Sequence, residues 1–158
     1  AFPGILLAIT VVAILGPGLF NVMIAVGIEA IPAYTRTARA STLTIREQEY
    51  VIGARSIGAN HRRLLFLYIC PNIVSPLIVL ATIGVAGSIL AAAGLSYLGL
   101  GAQPPTAEWG AMLAGGRKYV REAWWMSTFP GIAIMLVVLA LNLLGDGLRD
   151  ILDPRLRK

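Results

Sequence analysis

Arg36, Arg39, Arg46, Arg55, Arg62 and Arg63 are opposed between residues 32 and 70 only by Glu47 and Glu49, a net charge of +4. Such a concentration can neutralise the phosphates of a nucleic acid or of lipid headgroups, or present a basic face to another protein. His61, the only histidine, lies in the same stretch. An imidazole can ligate a metal or switch charge near neutrality, but no carboxylate stands at ligand spacing from it. Cys70 is the sole cysteine, which excludes an intrachain disulfide and a cysteine-based metal cluster. The expectation is a solvated loop histidine, a small packed cysteine, no metal site and no catalytic set. The chain also lacks a Gly-rich Lys-Ser/Thr phosphate loop, so it holds no nucleotide of its own by that means.

The elements that position these residues follow from composition. Of the 158 residues, 57% are hydrophobic and only 13% charged, where a soluble domain carries about 25% charged residues. No charge occurs from Ala1 to Ile28, from Pro71 to Ala107 or from Ala123 to Gly145. Each run can supply the roughly 20 residues that cross about 30 Å of hydrocarbon. A basic loop between such runs is the ordinary cytoplasmic excess of a membrane protein, which removes the nucleic-acid reading.

The fold class expected is all-α, a polytopic membrane helix bundle with spans near 2–15, 18–33, 73–95 and 126–145. Gly16-Pro17-Gly18 divides the first run into two helices. The chain starts at Ala1-Phe2-Pro3 without an initiator Met or a charged leader, as the C-terminal part of a longer membrane domain would. Gly94 to Pro105 reads as a turn-rich exit, Trp124 and Trp125 as an aromatic belt, and Gly145-Asp146-Gly147 as the break after the last span. Glu29 is expected at a span's end, as a helix-end anchor or a pathway contact. Asn21 and Asn142 are expected as interhelical hydrogen-bond formers or pathway groups.

Orientation follows from charge: the 32–70 connection is expected in the cytoplasm, and two crossings later the tail returns there. That tail carries Arg149, Arg155, Arg157 and Lys158 against Asp146, Asp150 and Asp153. The intervening 95–122 segment, nearly balanced, then lies outside. Thr44-Ile45-Arg46-Glu47 fits a capping box and predicts a helix start at Thr44. Tyr50, Val51, Ala54, Ile57 and Gly58 share one apolar face, and Gly58-Ala59-Asn60 ends or bends the helix. Leu64, Leu65 and Tyr68 resume a stripe up to Pro71. A helix, a turn and a second helix between spans make a knob facing the cytoplasm, unless these short helices merely lie in the headgroup layer.

The stretch Glu49 to Pro71 resembles the EAA loop of inner-membrane permease subunits of bacterial ABC importers. The E-A-A positions fall on Ile52-Gly53-Ala54, the central glycine on Gly58, the I and H positions on Leu65 and Tyr68, and the L-P pair on Cys70-Pro71. Ala54, Gly58 and Pro71 are retained, while Glu becomes Ile, Ala becomes Gly and His becomes Tyr. Gly94-Leu95-Ser96-Tyr97-Leu98-Gly99-Leu100-Gly101, Gln103-Pro104-Pro105 and Trp109-Gly110 are similar to the C-type permeases of dipeptide and oligopeptide importers. So is the tail Asn142 to Arg155. Nickel and glutathione importers share that branch.

The resemblance implies a non-catalytic permease for ATP-driven uptake of peptides or a similar small solute across the bacterial inner membrane. Its implied partners are a homologous second permease, two cytoplasmic ATPases that hold ATP and Mg, an extracytoplasmic solute-binding protein, and the membrane lipid around the permease pair. It places ATPase coupling on the 44–70 loop, at Glu49, Tyr50, Ala54, Arg55, Ile57, Gly58 and Pro71. Gln103, Glu108, Trp109 and Lys118 of the 95–122 segment are the expected extracytoplasmic gate or docking residues, a passive interfacial connector being the alternative. Other classes that fit the sequence are an ion-driven secondary transporter, which lacks a carboxylate relay here, and a scaffold that binds proteins through 44–70.

Overall fold

The computed structural model describes residues 3–152. Among them the regular structure is helical throughout, without a strand. Six helices follow in order: α1 (Gly4–Leu15), α2 (Leu19–Arg46), α3 (Glu49–Ser56), α4 (His61–Tyr97), α5 (Trp109–Gly116) and α6 (Trp125–Leu152). Two of them, α4 and α6, are long and apolar enough to cross a bilayer, whereas α1 is apolar but has only 12 residues. The chain divides into two compact units, residues 1–31 with 83–143, and residues 32–82 with 144–158.

In the first unit α1 and the start of α2 pair as a hairpin, because Gly16 and Gly18 adopt positive φ angles of 90° and 154°. Asn21 of α2 closes the turn: its Nδ2 donates to the last carbonyls of α1, Leu15 O at 3.0 Å and Gly16 O at 2.9 Å. This is the interhelical bond expected of Asn21. Ala8 and Val12 meet Val22, Ala25, Val26 and Leu95 in a core of mostly small side chains, and small residues are what let apolar helices approach closely. Gly110 of α5 lies so close to α4 that an added Cβ would overlap the backbone of Ala93.

In the second unit Val51 and Ala54 of α3 are buried with Leu64 of α4, and Ile45, Ala59 and Tyr68 pack around them. Farther along, Ser75 Oγ donates to Leu152 O at 3.2 Å, tying α4 to the end of α6.

Several boundaries differ from the sequence expectation. No helix starts at Thr44. α2 runs on to Arg46, and the Thr44 hydroxyl bonds back to Ala40 O at 3.2 Å. A threonine one turn from a helix end satisfies itself that way as readily as it caps a new helix. Helix α2 also passes Pro32, so Glu29 lies inside it and not at its end. Pro71 does not anchor a helix end either, because α4 continues through it. The preceding Leu64–Ile69 segment is wound as a π-helix, with Cys70 N bonding Leu65 O. Pro71 lacks an N–H and crowds the carbonyl one turn back, and a widened turn is one way a helix absorbs that. Gly94 is helical, the exit beginning after Tyr97, and α6 carries on through Gly145-Asp146-Gly147 to Leu152. A glycine costs only about 1 kcal/mol inside a helix, less than leaving backbone groups unpaired in an apolar setting. The expected residues Arg155, Arg157 and Lys158 lie outside the described residues.

Candidate functional site

The α3 knob is built by its caps. Glu49 stands in the first turn of α3 and Arg55 in the last, each matching the sign that the helix dipole favours at its end. Beyond Ile57 the chain turns through Gly58 at φ +86°. Ala59 N donates to Ala54 O and Gly58 N to Arg55 O, both at 3.1 Å. These crossed bonds are the Schellman termination, which needs a left-handed residue at the Gly58 position. Asn60 then starts α4, its Oδ1 accepting from Arg63 N at 2.8 Å. Two residues, Gly58 and Ala59, thus separate the C-cap Ile57 of one helix from the N-cap Asn60 of the next, and the knob's shape is fixed by these cap bonds.

That geometry divides the apolar face read from the sequence. Val51 and Ala54 turn inward onto Leu64, so Ala54 is not available to a partner. Tyr50 is 47% and Ile57 86% exposed, and Ile52 stands out as well. The inward pair holds the helix and the outward set is free to dock. No heavy atom approaches within 4 Å of a Cβ built at Gly53 or Gly58, so the glycine at Gly58 answers a torsional need and not a steric one. Beside α3 a groove of about 490 Å³ is floored by Val51, Leu64 and Ile69 and edged by Arg46, Arg55 and His61. His61 is exposed, in keeping with a solvated loop histidine, and shares the lining of this groove with Arg46 and Arg55. Glu49 and Pro71 do not line that groove.

The 95–122 segment is a second cluster. Glu108 precedes α5 and caps it with both carboxylate oxygens, which accept from Gly110 N at 2.9 Å and Ala111 N at 2.8 Å. It therefore has a structural task that its expected docking role did not include. Gln103 Nε2 donates to Gly99 O at 2.9 Å and Gly101 O at 3.1 Å, holding the turn after α4. Gln103 and Lys118 border one cavity of about 330 Å³, which does not include Glu108 or Trp109. Arg117 lies 5.9 Å from the Tyr97 ring centroid in the same cavity, a cation–π contact that sequence reading did not find. Trp124 and Trp125 meet edge to face at 6.1 Å where α6 begins, as interfacial tryptophans do.

A third cavity, of about 210 Å³, lies between α2 and α4 and is lined by Glu29 and Ser88 among small residues. Among the described residues no group of three His, Cys, Asp or Glu side chains converges as a metal site would require.

Comparison with known proteins converges on one family. The family described as the binding-protein-dependent transport system inner membrane component matches residues 1–158. The di/tripeptide transport system permease protein DppC of Pseudomonas aeruginosa is 53% identical over 157 residues, 99% of this chain and 52% of that protein. The glutathione transport system permease protein GsiD of Salmonella typhimurium is 54% identical over the same proportions. The dipeptide transport system permease protein DppC of Alkalihalophilus pseudofirmus is 49% identical, again over 99% and 52%. The chain spans about half the length of these curated relatives.

Proposed function

The chain belongs to the family of binding-protein-dependent transport system inner membrane components, and on that premise we propose that it is the coupling and conducting part of a permease for ATP-driven uptake of short peptides. The observation that carries this reading is α3. It is a short helix locked by the Gly58 turn and the Asn60 cap, and it holds itself with Val51 and Ala54 while presenting Tyr50, Ile52 and Ile57 outward. A helix whose apolar side chains face solvent on one side and its own support on the other suits insertion into a partner's groove. The partner is a cytoplasmic ATPase, two copies of which close on ATP and Mg. Their motion is passed to the permease through α3. A homologous second permease completes the pathway, and an extracytoplasmic binding protein delivers the solute onto the 95–122 segment. In this arrangement residues 32–70 and the C-terminus face the cytoplasm of the bacterial inner membrane.

The solute class rests on relatives named for dipeptide, di/tripeptide and glutathione transport. Reconstitution of the full permease pair with its ATPases and binding protein tests the reading. Wild type is expected to accumulate a labelled dipeptide or glutathione in an ATP-dependent manner. Ile57→Asp, which puts a charge on the most exposed apolar side chain of the knob, is expected to lower uptake and ATPase co-purification roughly tenfold, since about 1.4 kcal/mol of docking energy corresponds to that factor. Full uptake and co-purification in that variant would contradict the docking role of α3.

A further inference from the structure

Glu29 is the one ionisable residue of α2 before its Tyr34 and arginines, and it lies ten residues from the start of the helix at Leu19, about 15 Å along the axis at 1.5 Å per residue. Ser88 lies nine residues before the end of α4 at Tyr97, about 14 Å along it. The two side chains line one cavity of about 210 Å³, whose remaining walls are small residues such as Gly84, Gly87 and Ala91. A carboxylate set among such residues is costly unless something positive meets it.

No side chain among the described residues donates to or pairs with Glu29. Its nearest support is the amino end of α1, whose Gly4 packs so closely that an added Cβ would overlap the carboxyl group. A helix end contributes roughly half a positive charge, which leaves the rest of a unit charge uncompensated. The Ser88 hydroxyl spends its proton on Gly84 O at 2.9 Å, so toward the cavity it offers lone pairs. The cavity thus presents acceptors only: two carboxylate oxygens and one hydroxyl oxygen. A lone carboxylate is too sparse a set for a metal ion, and no metal-binding group of three forms among the described residues.

We propose that the Glu29–Ser88 cavity is a binding subsite for a primary ammonium group, the free amino terminus of the peptide in transit. An ammonium has three N–H donors and a single positive charge, which matches the acceptors and the charge that the cavity leaves open. The volume, about seven water molecules' share of liquid, suits that end group with the atoms next to it and not a whole peptide. Dipeptides, tripeptides and glutathione share this group, so one subsite serves every solute class that the relatives' names suggest. The inference rests on the permease reading for the identity of the cation, but not for the cavity's preference for positive charge.

The test separates the two. In the assembled transporter, with Cys70→Ser as background, Ser88→Cys is treated with a cationic trimethylammonium-ethyl and an anionic sulfonato-ethyl methanethiosulfonate of similar size. Treatment is done in the nucleotide-free and ATP-held states. Relative to their rate ratio with a free small thiol, the cationic reagent is expected to gain on the order of tenfold, and adding Glu29→Gln is expected to bring the ratio back to the free-thiol value. A dipeptide with a free amino group is expected to slow the cationic reaction only when Glu29 is present. A ratio that Glu29→Gln leaves unchanged, or no reaction with either reagent in either state, overturns the subsite. If the charge preference follows Glu29 but the complex accumulates no peptide, the permease reading fails while the cationic site stands.

Discussion

Replacing Gly58 with valine is expected to reduce both solute-stimulated ATP hydrolysis and uptake by about tenfold or more, because a β-branched residue held in the left-handed region carries roughly 1–3 kcal/mol of strain. At φ +86° the position lies where a side chain collides with its own backbone, although the space around it is open. Valine relieves the strain by rotating the turn, and rotation breaks the Ala59–Ala54 and Gly58–Arg55 bonds that end α3. The knob then meets its partner at the wrong angle while membrane insertion, which depends on the spans, persists. Gly58→Asn separates this cause from mere bulk, since asparagine tolerates the left-handed region. The asparagine variant is expected to retain most activity. Equal loss in both variants, measured as uptake and ATPase rate in proteoliposomes, would show that the torsion is not the reason for the glycine.

The second large effect concerns assembly. Gly110→Leu is expected to remove most folded protein from the membrane fraction, because the Cβ alone would stand 2.7 Å from Ala93 Cα and overlap Ala93 O. The obstacle is backbone on α4, which cannot swing aside as a flexible side chain does. Overpacking of that kind costs about 1–3 kcal/mol and sometimes more. Gly115→Ala in the same helix meets nothing within 4 Å and is the control, expected to be neutral or slightly stabilising. Detergent-solubilised yield and thermal unfolding of both variants check this. A fully stable Gly110→Leu protein would mean that α5 does not rest on α4 as described.

What could be read from the sequence was whatever depends on bulk polarity or on a residue with one conformational use. The uncharged runs gave the all-α class. Gly58 gave the turn, because few residues other than glycine accept its angles, and Asn21 gave a bond between helices. What escaped was whatever depends on competition between equivalent local solutions. Thr44 fits a capping box, yet its hydroxyl is equally satisfied by Ala40 O, and the helix that already reaches Arg46 decides between them. Pro71 suggested a helix end, and the π-helical turn before it instead lets α4 continue. The face from Tyr50 to Ile57 has one period but two uses, since only the position of Leu64 determines that Val51 and Ala54 turn inward. The sequence shows only the polarity of Glu108 and Gln103, and their hydrogen bonds to neighbouring backbone emerge only once α5 and the Gly99 turn are in place.

The central claim is that the outward face of α3 inserts into the ATPase, and site-directed crosslinking tests it most directly. With Cys70→Ser as background, Ile57→Cys and Tyr50→Cys are each combined with single cysteines along the groove of the ATPase in the complete transporter. Ile57 is 86% exposed and Ala54 only 6%, so Ala54→Cys serves as the inward-facing comparison. Crosslinks from positions 57 and 50, with yields that change when ATP is held bound, and none from position 54, are the predicted result. Crosslinking from position 54 alone, or from none of the three in a transporter that still imports peptide, would contradict the assignment of α3 as the coupling element.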